Sequence, residues 1–295
     1  MRDLTFAIPN KRGWMFDQNV PFDANFLVRH YLNNPSHLYN IFASHSQWNS
    51  EQVRKLVGID AKFITILRDP IDVFESGFDY FGFGGQLEMD INEYVARVFH
   101  FGRSQRAIFG KNQLLYNVGM KSADMDSPKK VEEMIEMADY EFDLVLIAEK
   151  MEESLILMKK LFCWTMNDIR YFKLNEREEK SKSNMSEKTR KNLKKWLWAD
   201  YLLYNYFVQK MDDSIKQFGI ESMKSEVSAL KLANLKLKTD CHQTYTNNTD
   251  LQGTVLYMAS DAVKGLSLDP DCILYAISEP YFFKLIRAKQ RFLLS

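Results

Sequence analysis

A strand-to-helix junction in the first quarter of the chain carries residue types that bind anions. Residues 63–76 read Phe-Ile-Thr-Ile-Leu-Arg-Asp-Pro-Ile-Asp-Val-Phe-Glu-Ser, which predicts a buried strand, a tight turn and a helix. Arg68 ends the strand, Asp69 can cap the helix, and Pro70 suits a first helical turn, where an N–H donor is not needed. Such a cation beside unpaired N–H groups and a helix dipole attracts negative charge. Ser76, about two turns further on, adds a hydroxyl donor.

The same tripeptide also has a plain structural explanation. Arg-Asp-Pro at a strand-to-helix junction is often a good cap with a surface arginine, and motifs this short match by chance. The tripeptide alone leaves both interpretations open, so the longer pattern around it has to decide.

Short apolar runs alternate with helical patterns on both sides of this junction. Five runs are candidate strands, at residues 4–8, 39–43, 62–67, 142–148 and 169–174. The third is continuous and β-branched, which is typical of a strand buried on both faces. Strands that alternate with helices indicate an α/β fold with a mainly parallel sheet.

Helical patterns fill the spaces between these strands and most of the second half of the chain. They cover residues 49–57, 70–80, 91–101, 129–138 and 151–162, one long stretch at 186–219, and another at 221–237. The apolar residues of the long stretch recur at helical spacing, which indicates a core face. The last 55 residues have weaker periodicity and are predicted to be an appendage on the main domain.

Composition and charge exclude several classes of protein. Hydrophobic residues make up 46% of the 295, enough for a substantial core, so the chain is not intrinsically disordered. Lys plus Arg and Asp plus Glu number 39 each, and this balance argues against binding to nucleic acid, which needs a basic face. No apolar run approaches the roughly 18 residues of a membrane span, and the first residues lack a signal-peptide pattern.

The three cysteines carry limited information on the redox environment. Cys163 ends an apolar helix and is predicted to be a buried free thiol. Cys241 and Cys272 flank a loop-rich stretch, and pairing between them would require an oxidising compartment. Both the paired and the unpaired state remain open from the sequence.

Several separate segments, in order, resemble the galactose-3-O-sulfotransferase family. The string AKFITILRDPIDVFESGFDYFGFG at residues 61–84 resembles the 3′-phosphate-binding segment of Golgi carbohydrate sulfotransferases. The further matching pieces are FAIPN, HSQWNSEQVRKLV, FDLVLIAEKMEESLILMKKLFCW, IRYFKLNER and ADYLLYNYF. The resemblance runs from about residue 6 to residue 292, and an unrelated P-loop kinase-like protein would not explain HSQW or LIAEKMEESL.

The resemblance implies a P-loop NTPase-like sulfotransferase fold, with helices on both faces of the sheet and a helical C-terminal part. Residues 1–225 would form the sulfotransferase domain and residues 226–295 the appendage. The implied reaction moves a sulfonate from 3′-phosphoadenosine 5′-phosphosulfate to the 3-hydroxyl of a terminal galactose. The acceptor would be a glycolipid such as galactosylceramide, or a glycoprotein glycan, and the location the Golgi lumen or membrane. Arg68 and Ser76 would hold the 3′-phosphate of the nucleotide.

Transfer of a sulfonate also needs a base for the acceptor hydroxyl, and histidine suits this role because its ordinary pKa is near neutral. His45 is the candidate, because it follows the 39–43 strand at the carboxyl end of the predicted sheet, where open α/β sheets bind ligands. The family has a histidine in this segment; a hydrogen-bonded loop histidine is the alternative.

Polar residues after two other strands are weaker candidates. Glu149 is predicted either to orient a sugar hydroxyl or a basic partner, or to cap the next helix. Asn175, Arg177 and Lys180 lie in a polar loop that either folds over the nucleotide or is simply solvated. No His, Cys or Asp cluster has metal-ligand spacing, and the transfer of an activated sulfonate needs no metal.

One family feature is missing from the sequence. The family's Lys/Thr/Ser-rich phosphosulfate loop should lie just upstream of FAIPN, but Phe6 is only five residues from Met1. No G-x-x-x-x-G-K-[ST] motif occurs elsewhere, and the family's membrane anchor is absent too. We therefore expect an N-terminally truncated member. It is a fragment of an enzyme, a non-catalytic relative that binds glycans or a partner, or a chain completed by another chain.

Overall fold

A computed structural model describes residues 4–9, 20–26, 39–101, 110–173, 184–241 and 270–292. Within these ranges the chain is mostly helical, with two β-strands, β1 (Ile64–Leu67) and β2 (Leu144–Ile147). The α-helices are α1 (Ser50–Val57), α2 (Pro70–Tyr80), α3 (Phe83–Leu87), α4 (Ile91–Phe101), α5 (Gln113–Asn117), α6 (Pro128–Glu141), α7 (Met151–Leu161), α8 (Glu187–Trp196), α9 (Trp198–Phe218), α10 (Ile220–Cys241), α11 (Pro270–Leu274) and α12 (Glu279–Phe292). Short 3-10 helices cover Ala24–Phe26, Ser122–Asp124, Ala148–Lys150 and Met166–Ile169.

The two strands pair in parallel, which confirms the α/β class and the strands predicted at 62–67 and 142–148. Ile64 lies opposite Leu144, and the register continues to Leu67 opposite Ile147. The connection between them runs through helices, as parallel strands require. Ile66 is 48% exposed, so the prediction that this strand is buried on both faces is wrong.

A carboxylate forms hydrogen bonds between the two strand segments at each end of the pair. Before the strands, Asp143 accepts hydrogen bonds from the Phe63 N–H (2.9 Å) and the Lys62 ammonium (2.8 Å). After them, Glu149 accepts the Asp69 N–H at 2.8 Å. The segment that carries β1 is therefore held to the segment that carries β2 beyond the ladder itself, and each carboxylate satisfies a backbone N–H that the ladder leaves without a partner.

Three other predicted strands are wrong. Residues 4–8 and 39–43 meet in a single parallel bridge between Phe6 and Ile41. The backbone N–H and C=O of Phe6 point away from this bridge and bond to the Gln290 side chain. The amide of Gln290 accepts the Phe6 N–H and donates to the Phe6 carbonyl, each at 3.2 Å. The first residue of the run at 169–174, Ile169, is the last residue of a 3-10 helix, and the Tyr171 N–H donates to the Asn234 side chain at 3.0 Å. At 4–8 and at 169–174 a side-chain amide thus takes the place of a neighbouring strand.

The chain forms two compact units, each built from separate stretches of sequence. The strand unit comprises Lys62–Met158 and Arg177–Met223, and the terminal unit comprises Met1–Ala61, Lys159–Glu176 and Lys224–Ser295. The predicted division into a domain at 1–225 and an appendage at 226–295 stays a prediction.

Helix α2 is fixed in the strand unit by its apolar face. Phe74 is 2% exposed and its ring meets Trp196 edge-on, with 5.8 Å between centroids. Gly110 (φ +92°) closes over the same ring, and a Cβ there would come within 2.7 Å of Phe74. Because this face is buried, the opposite face of α2, with Asp72 and Ser76, is directed outward.

The long helix predicted over 186–219 is instead two helices that meet at Leu197, which places Asp200 in the first turn of α9. From there its carboxylate accepts the N–H groups of Leu114 (3.0 Å) and Leu115 (2.9 Å) at the start of α5. In return, the Asn112 side chain accepts the Asp200 N–H at 3.4 Å. Each helix thus supplies the cap that the other one lacks.

In the terminal unit a disulfide joins Cys241, at the end of α10, to Cys272 in α11. The pairing that the sequence left open is therefore present. Cys163 is free, as predicted, but it is exposed rather than buried. It lies two residues beyond the end of α7, in a left-handed conformation (φ 52°) that turns the chain away from the helix axis. Among the helices of the described ranges, none combines the length and apolar character that a membrane crossing requires.

We expect the burial of Asp200 to make stability depend on pH. Burial raises the pKa of this carboxyl from 3.8 to about 7, against the opposing effect of the two N–H donors. The folded chain then holds a proton that the unfolded chain releases, so stability falls as pH rises from about 4 to about 7. Asp200→Asn removes this dependence, and between pH 5 and pH 8 the variant should gain about 2–3 kcal/mol relative to wild type.

Urea unfolding at both pH values measures this difference. Glu133→Gln, which changes an exposed carboxylate on α6, is the matched control and should keep the same offset from wild type at both pH values. An Asp200→Asn offset that does not change with pH would contradict the assignment.

Candidate functional site

Arg68 lies between the last residue of β1 and the cap of α2. Its guanidinium forms an ion pair with Asp72, with 3.5 Å between Nη2 and Oδ2, and the two side chains are 40% and 42% exposed. An exposed pair of this kind contributes little to stability. An incoming anion can therefore replace Asp72 as the partner of Arg68, or share the guanidinium with it, at little cost in stability.

Asp69 caps α2 as the sequence predicted. Its Oδ1 accepts the N–H groups of Ile71 (2.9 Å) and Asp72 (3.3 Å), and its carbonyl accepts the Val73 N–H at 3.0 Å. Because Pro70 has no N–H, the donors of the first turn are already used. The expectation that unpaired N–H groups would bind the anion is therefore wrong, and Arg68 is the donor that the junction offers.

Ser76 stands one helical turn beyond Asp72, on the same outward face of α2. The structure thus brings Arg68 and Ser76 to one side of one helix, with Asp72 between them. A guanidinium and a hydroxyl can each donate to phosphate oxygens, whereas the carboxylate of Asp72 would have to give way to an anion.

Two tyrosines of α9 form hydrogen bonds with two carboxylates at the strand-to-helix junction. Tyr201 donates to both oxygens of Asp69 at 3.1 Å, and Tyr204 donates to Glu149 at 3.0 Å. Because Glu149 also accepts the Asp69 N–H, the four residues form one connected network. In the structure the Glu149 oxygens hold the backbone N–H of the residue that follows Arg68 and the hydroxyl of Tyr204, and the roles predicted for Glu149 stay predictions.

Burial and the neighbouring carboxylates keep both phenols protonated, so that each can donate its O–H. Burial, followed by the Asp69 charge, raises the pKa of Tyr201, and burial, followed by the Glu149 charge, raises the pKa of Tyr204. The Lys194 ammonium lies 5.4 Å from the centre of the Tyr201 ring and brings positive charge towards the junction. Tyr201 and Tyr204 could not be recognised as part of this network from the sequence, because their helical spacing indicates only a core face.

His45 belongs to the terminal unit, where its Nε2 lies 3.1 Å from Oε2 of Glu279. A carboxylate only accepts hydrogen bonds, so Nε2 is the donor in this contact, and in a neutral ring of this tautomer the lone pair lies on Nδ1. That is the form in which histidine acts as a base. The His45 side chain is 55% exposed and can be reached from solvent.

The remaining candidates from the sequence belong to a segment that the structure does not describe. Asn175, Arg177 and Lys180 lie outside the described residues. In the described ranges, no group of three or more His, Cys, Asp or Glu side chains is placed to hold a metal ion.

The fold and this junction define an α/β protein with an arginine-bearing strand-to-helix turn. The family model for galactose-3-O-sulfotransferase matches residues 1–255, and the chain belongs to that family. It is 35% identical over 248 residues to galactosylceramide sulfotransferase of Bos taurus, which covers 81% of this chain and 57% of that protein. It is 29% identical over 212 residues to human galactose-3-O-sulfotransferase 2, covering 70% of this chain and 53% of that protein. The chain thus spans little more than half the length of these relatives, and no solved structure matches it.

We expect Glu149 and Tyr204 to act on stability as one unit. Glu149→Ala removes the acceptor for the Asp69 N–H and should lower the free energy of unfolding by about 1–2 kcal/mol, and Tyr204→Phe by about 0.5–1 kcal/mol. The double variant should lose less than the sum, because Tyr204 has lost its partner once Glu149 is gone. Denaturant unfolding measures all three. Tyr140→Phe, at a side chain that is 87% exposed, is the silent control, and strict additivity would show that the network is not coupled.

Proposed function

We propose that this chain is the catalytic part of a sulfotransferase that uses 3′-phosphoadenosine 5′-phosphosulfate to sulfate the 3-hydroxyl of a terminal galactose. Family membership over residues 1–255 supports the reaction class. The single structural observation that carries the proposal is Arg68, presented with Ser76 on the outward face of α2 at the carboxyl end of β1. Ligands of parallel α/β sheets bind at this end of the strands.

In this proposal Arg68 and Ser76 bind the 3′-phosphate of the nucleotide. The guanidinium offers a planar fork of donors that matches phosphate oxygens, and Ser76 adds a hydroxyl donor. The bound phosphate would replace Asp72 as the partner of Arg68. The P-loop-like character of the fold is part of the same proposal and is supported by the parallel pairing of β1 and β2.

His45 is proposed as the general base. The acceptor oxygen forms a bond to sulfur while the bond from sulfur to the 5′-phosphate oxygen breaks, and the hydroxyl proton passes to His45. Adenosine 3′,5′-bisphosphate is the leaving product. The contact with Glu279 supports this role, because a neutral ring that donates through Nε2 has its lone pair on Nδ1.

The acceptor is proposed to be a galactose-terminated glycolipid or glycoprotein glycan. The relatives named galactosylceramide sulfotransferase are the basis for the glycolipid, and those named galactose-3-O-sulfotransferase for galactose more broadly. We place the reaction in the Golgi lumen by family, and the Cys241–Cys272 disulfide supports an oxidising compartment.

Transfer of radiolabelled sulfonate to galactosylceramide and to lactose tests the proposal. We expect His45→Ala to lower kcat on the order of a hundredfold, because the proton acceptor is lost. Arg68→Ala should instead raise the KM for the nucleotide about 10–100-fold, because it removes a charged donor to the phosphate. An acceptor with a 3-deoxygalactose terminus should receive no label.

Each contrary result has a distinct meaning. A folded wild-type chain that binds the nucleotide but transfers no label would contradict the enzyme and identify a binding module. Label on the 3-deoxygalactose acceptor would contradict the assigned hydroxyl.

A further inference from the structure

The His45–Glu279 contact joins two parts of the terminal unit that are distant in sequence. Glu279 is the first residue of α12, and its side chain is 28% exposed. Helix α12 begins after residue 255, where the match to the family model ends. The partner of the proposed base therefore comes from a part of the chain that the family model does not cover.

Helix α12 is held firmly enough to fix where Glu279 lies. Phe283 (5% exposed) and Ile286 (8%) pack with Ile8 in a buried cluster. Near the end of the helix, Gln290 is 2% exposed and forms its two hydrogen bonds with Phe6. The packing and the hydrogen bonds both attach α12 to the segment at 4–9.

The same segment leads to His45. Phe6 is bridged to Ile41, and the Ala7 N–H donates to the Ile41 carbonyl at 2.8 Å. His45 follows on that same stretch of chain. The base and its carboxylate are therefore carried by two elements, the 39–45 segment and α12, that are each fixed to residues 6–8.

We propose that Glu279 is the positioning residue for His45. This proposal rests on the proposed function. In it, Glu279 at the start of α12 holds the imidazole in its Nε2–H tautomer, so that the lone pair of Nδ1 can accept the proton of the acceptor hydroxyl. Glu279 does not touch the reacting atoms. It acts through the ring that it orients and through its negative charge, which stabilises the imidazolium formed when His45 takes the proton.

Glu279 also has a purely structural explanation, because an acidic residue in the first turn of a helix is stabilised by the dipole. Two substitutions separate the two roles. Glu279→Asp keeps the charge at the helix start but is one methylene too short to hold the His45 contact. Glu279→Gln keeps the reach and an acceptor oxygen but loses the charge.

The test combines two readouts on the wild-type chain and on Glu279→Asp, Glu279→Gln and Glu279→Ala. Nitrogen-15 NMR at pH 8, where an ordinary imidazole is neutral, reports the tautomer of His45. Sulfonate transfer reports kcat and KM. Lys284→Ala, at an exposed position on α12, is the matched control and should change neither.

We expect the Nε2–H tautomer in the wild type and in Glu279→Gln, and a mixture in Glu279→Asp and Glu279→Ala. In those last two variants kcat should fall on the order of 10–100-fold while the KM for the nucleotide stays within about twofold. Glu279→Gln should lie between them and the wild type. A purely structural role would leave Glu279→Asp as active as the wild type, and that result would overturn the proposal.

The two readouts also separate this proposal from the function on which it rests. If the wild-type chain transfers no sulfonate, the proposed function fails. The tautomer then decides the pairing alone, and an Nδ1-protonated ring in the wild type would show that Glu279 does not hold His45.

Discussion

The hydrogen bond from the Asp69 N–H to Glu149 fixes the part of the molecule on which the candidate site depends. It joins the residue after Arg68 to the 3-10 helix that follows β2, so the segments that leave β1 and β2 remain side by side where the ladder ends. The direction in which α2 leaves the sheet is set at that point. Arg68 is held between two fixed positions, Leu67 in the strand and the Asp69 cap, although its own side chain is exposed.

Two negative groups near Arg68 have different consequences for an anion. Asp69 is engaged by two N–H groups and by Tyr201, so its charge is largely committed to the cap. Asp72 has an exposed ion pair with Arg68 and can be displaced. A ligand with a single weak negative charge has little advantage over Asp72, whereas a phosphate with several oxygens can replace it fully. The ligand that the proposed function assigns to Arg68 is therefore a multiply charged, bidentate anion.

The residues that sequence reasoning placed correctly are those whose local signals agree. Asp69 and Pro70 predict where α2 begins, and the β-branched run before them predicts β1, because caps and strand propensity act within a few residues. Tyr201 and Tyr204 were missed, because helical spacing does not show that a phenol reaches a carboxylate from another element. The strands predicted at 4–8 and 169–174 are wrong for a related reason. The side chains of Gln290 and Asn234 form hydrogen bonds with these backbones, and both residues are distant in the sequence from the segments they contact.

The site shows the same division between local and distant information. Arg68 and Ser76 could be predicted together, because they share one helix and its start. The carboxylate partner of His45 could not, since Glu279 lies more than 200 residues further along the chain and no motif links the two. The sequence likewise left the pairing of Cys241 and Cys272 open, because cysteine spacing alone does not determine connectivity.

The most direct test of the central claim, that Arg68 recognises a nucleotide 3′-phosphate, is calorimetric titration with adenosine 3′,5′-bisphosphate and with 5′-AMP. The two ligands differ only in the phosphate that Arg68 should contact. We predict that the wild-type chain prefers the bisphosphate on the order of 10–100-fold, and that Arg68→Ala removes this preference while 5′-AMP binding changes little. An unchanged preference in Arg68→Ala, or no binding of the bisphosphate by a folded wild-type chain, would contradict the account.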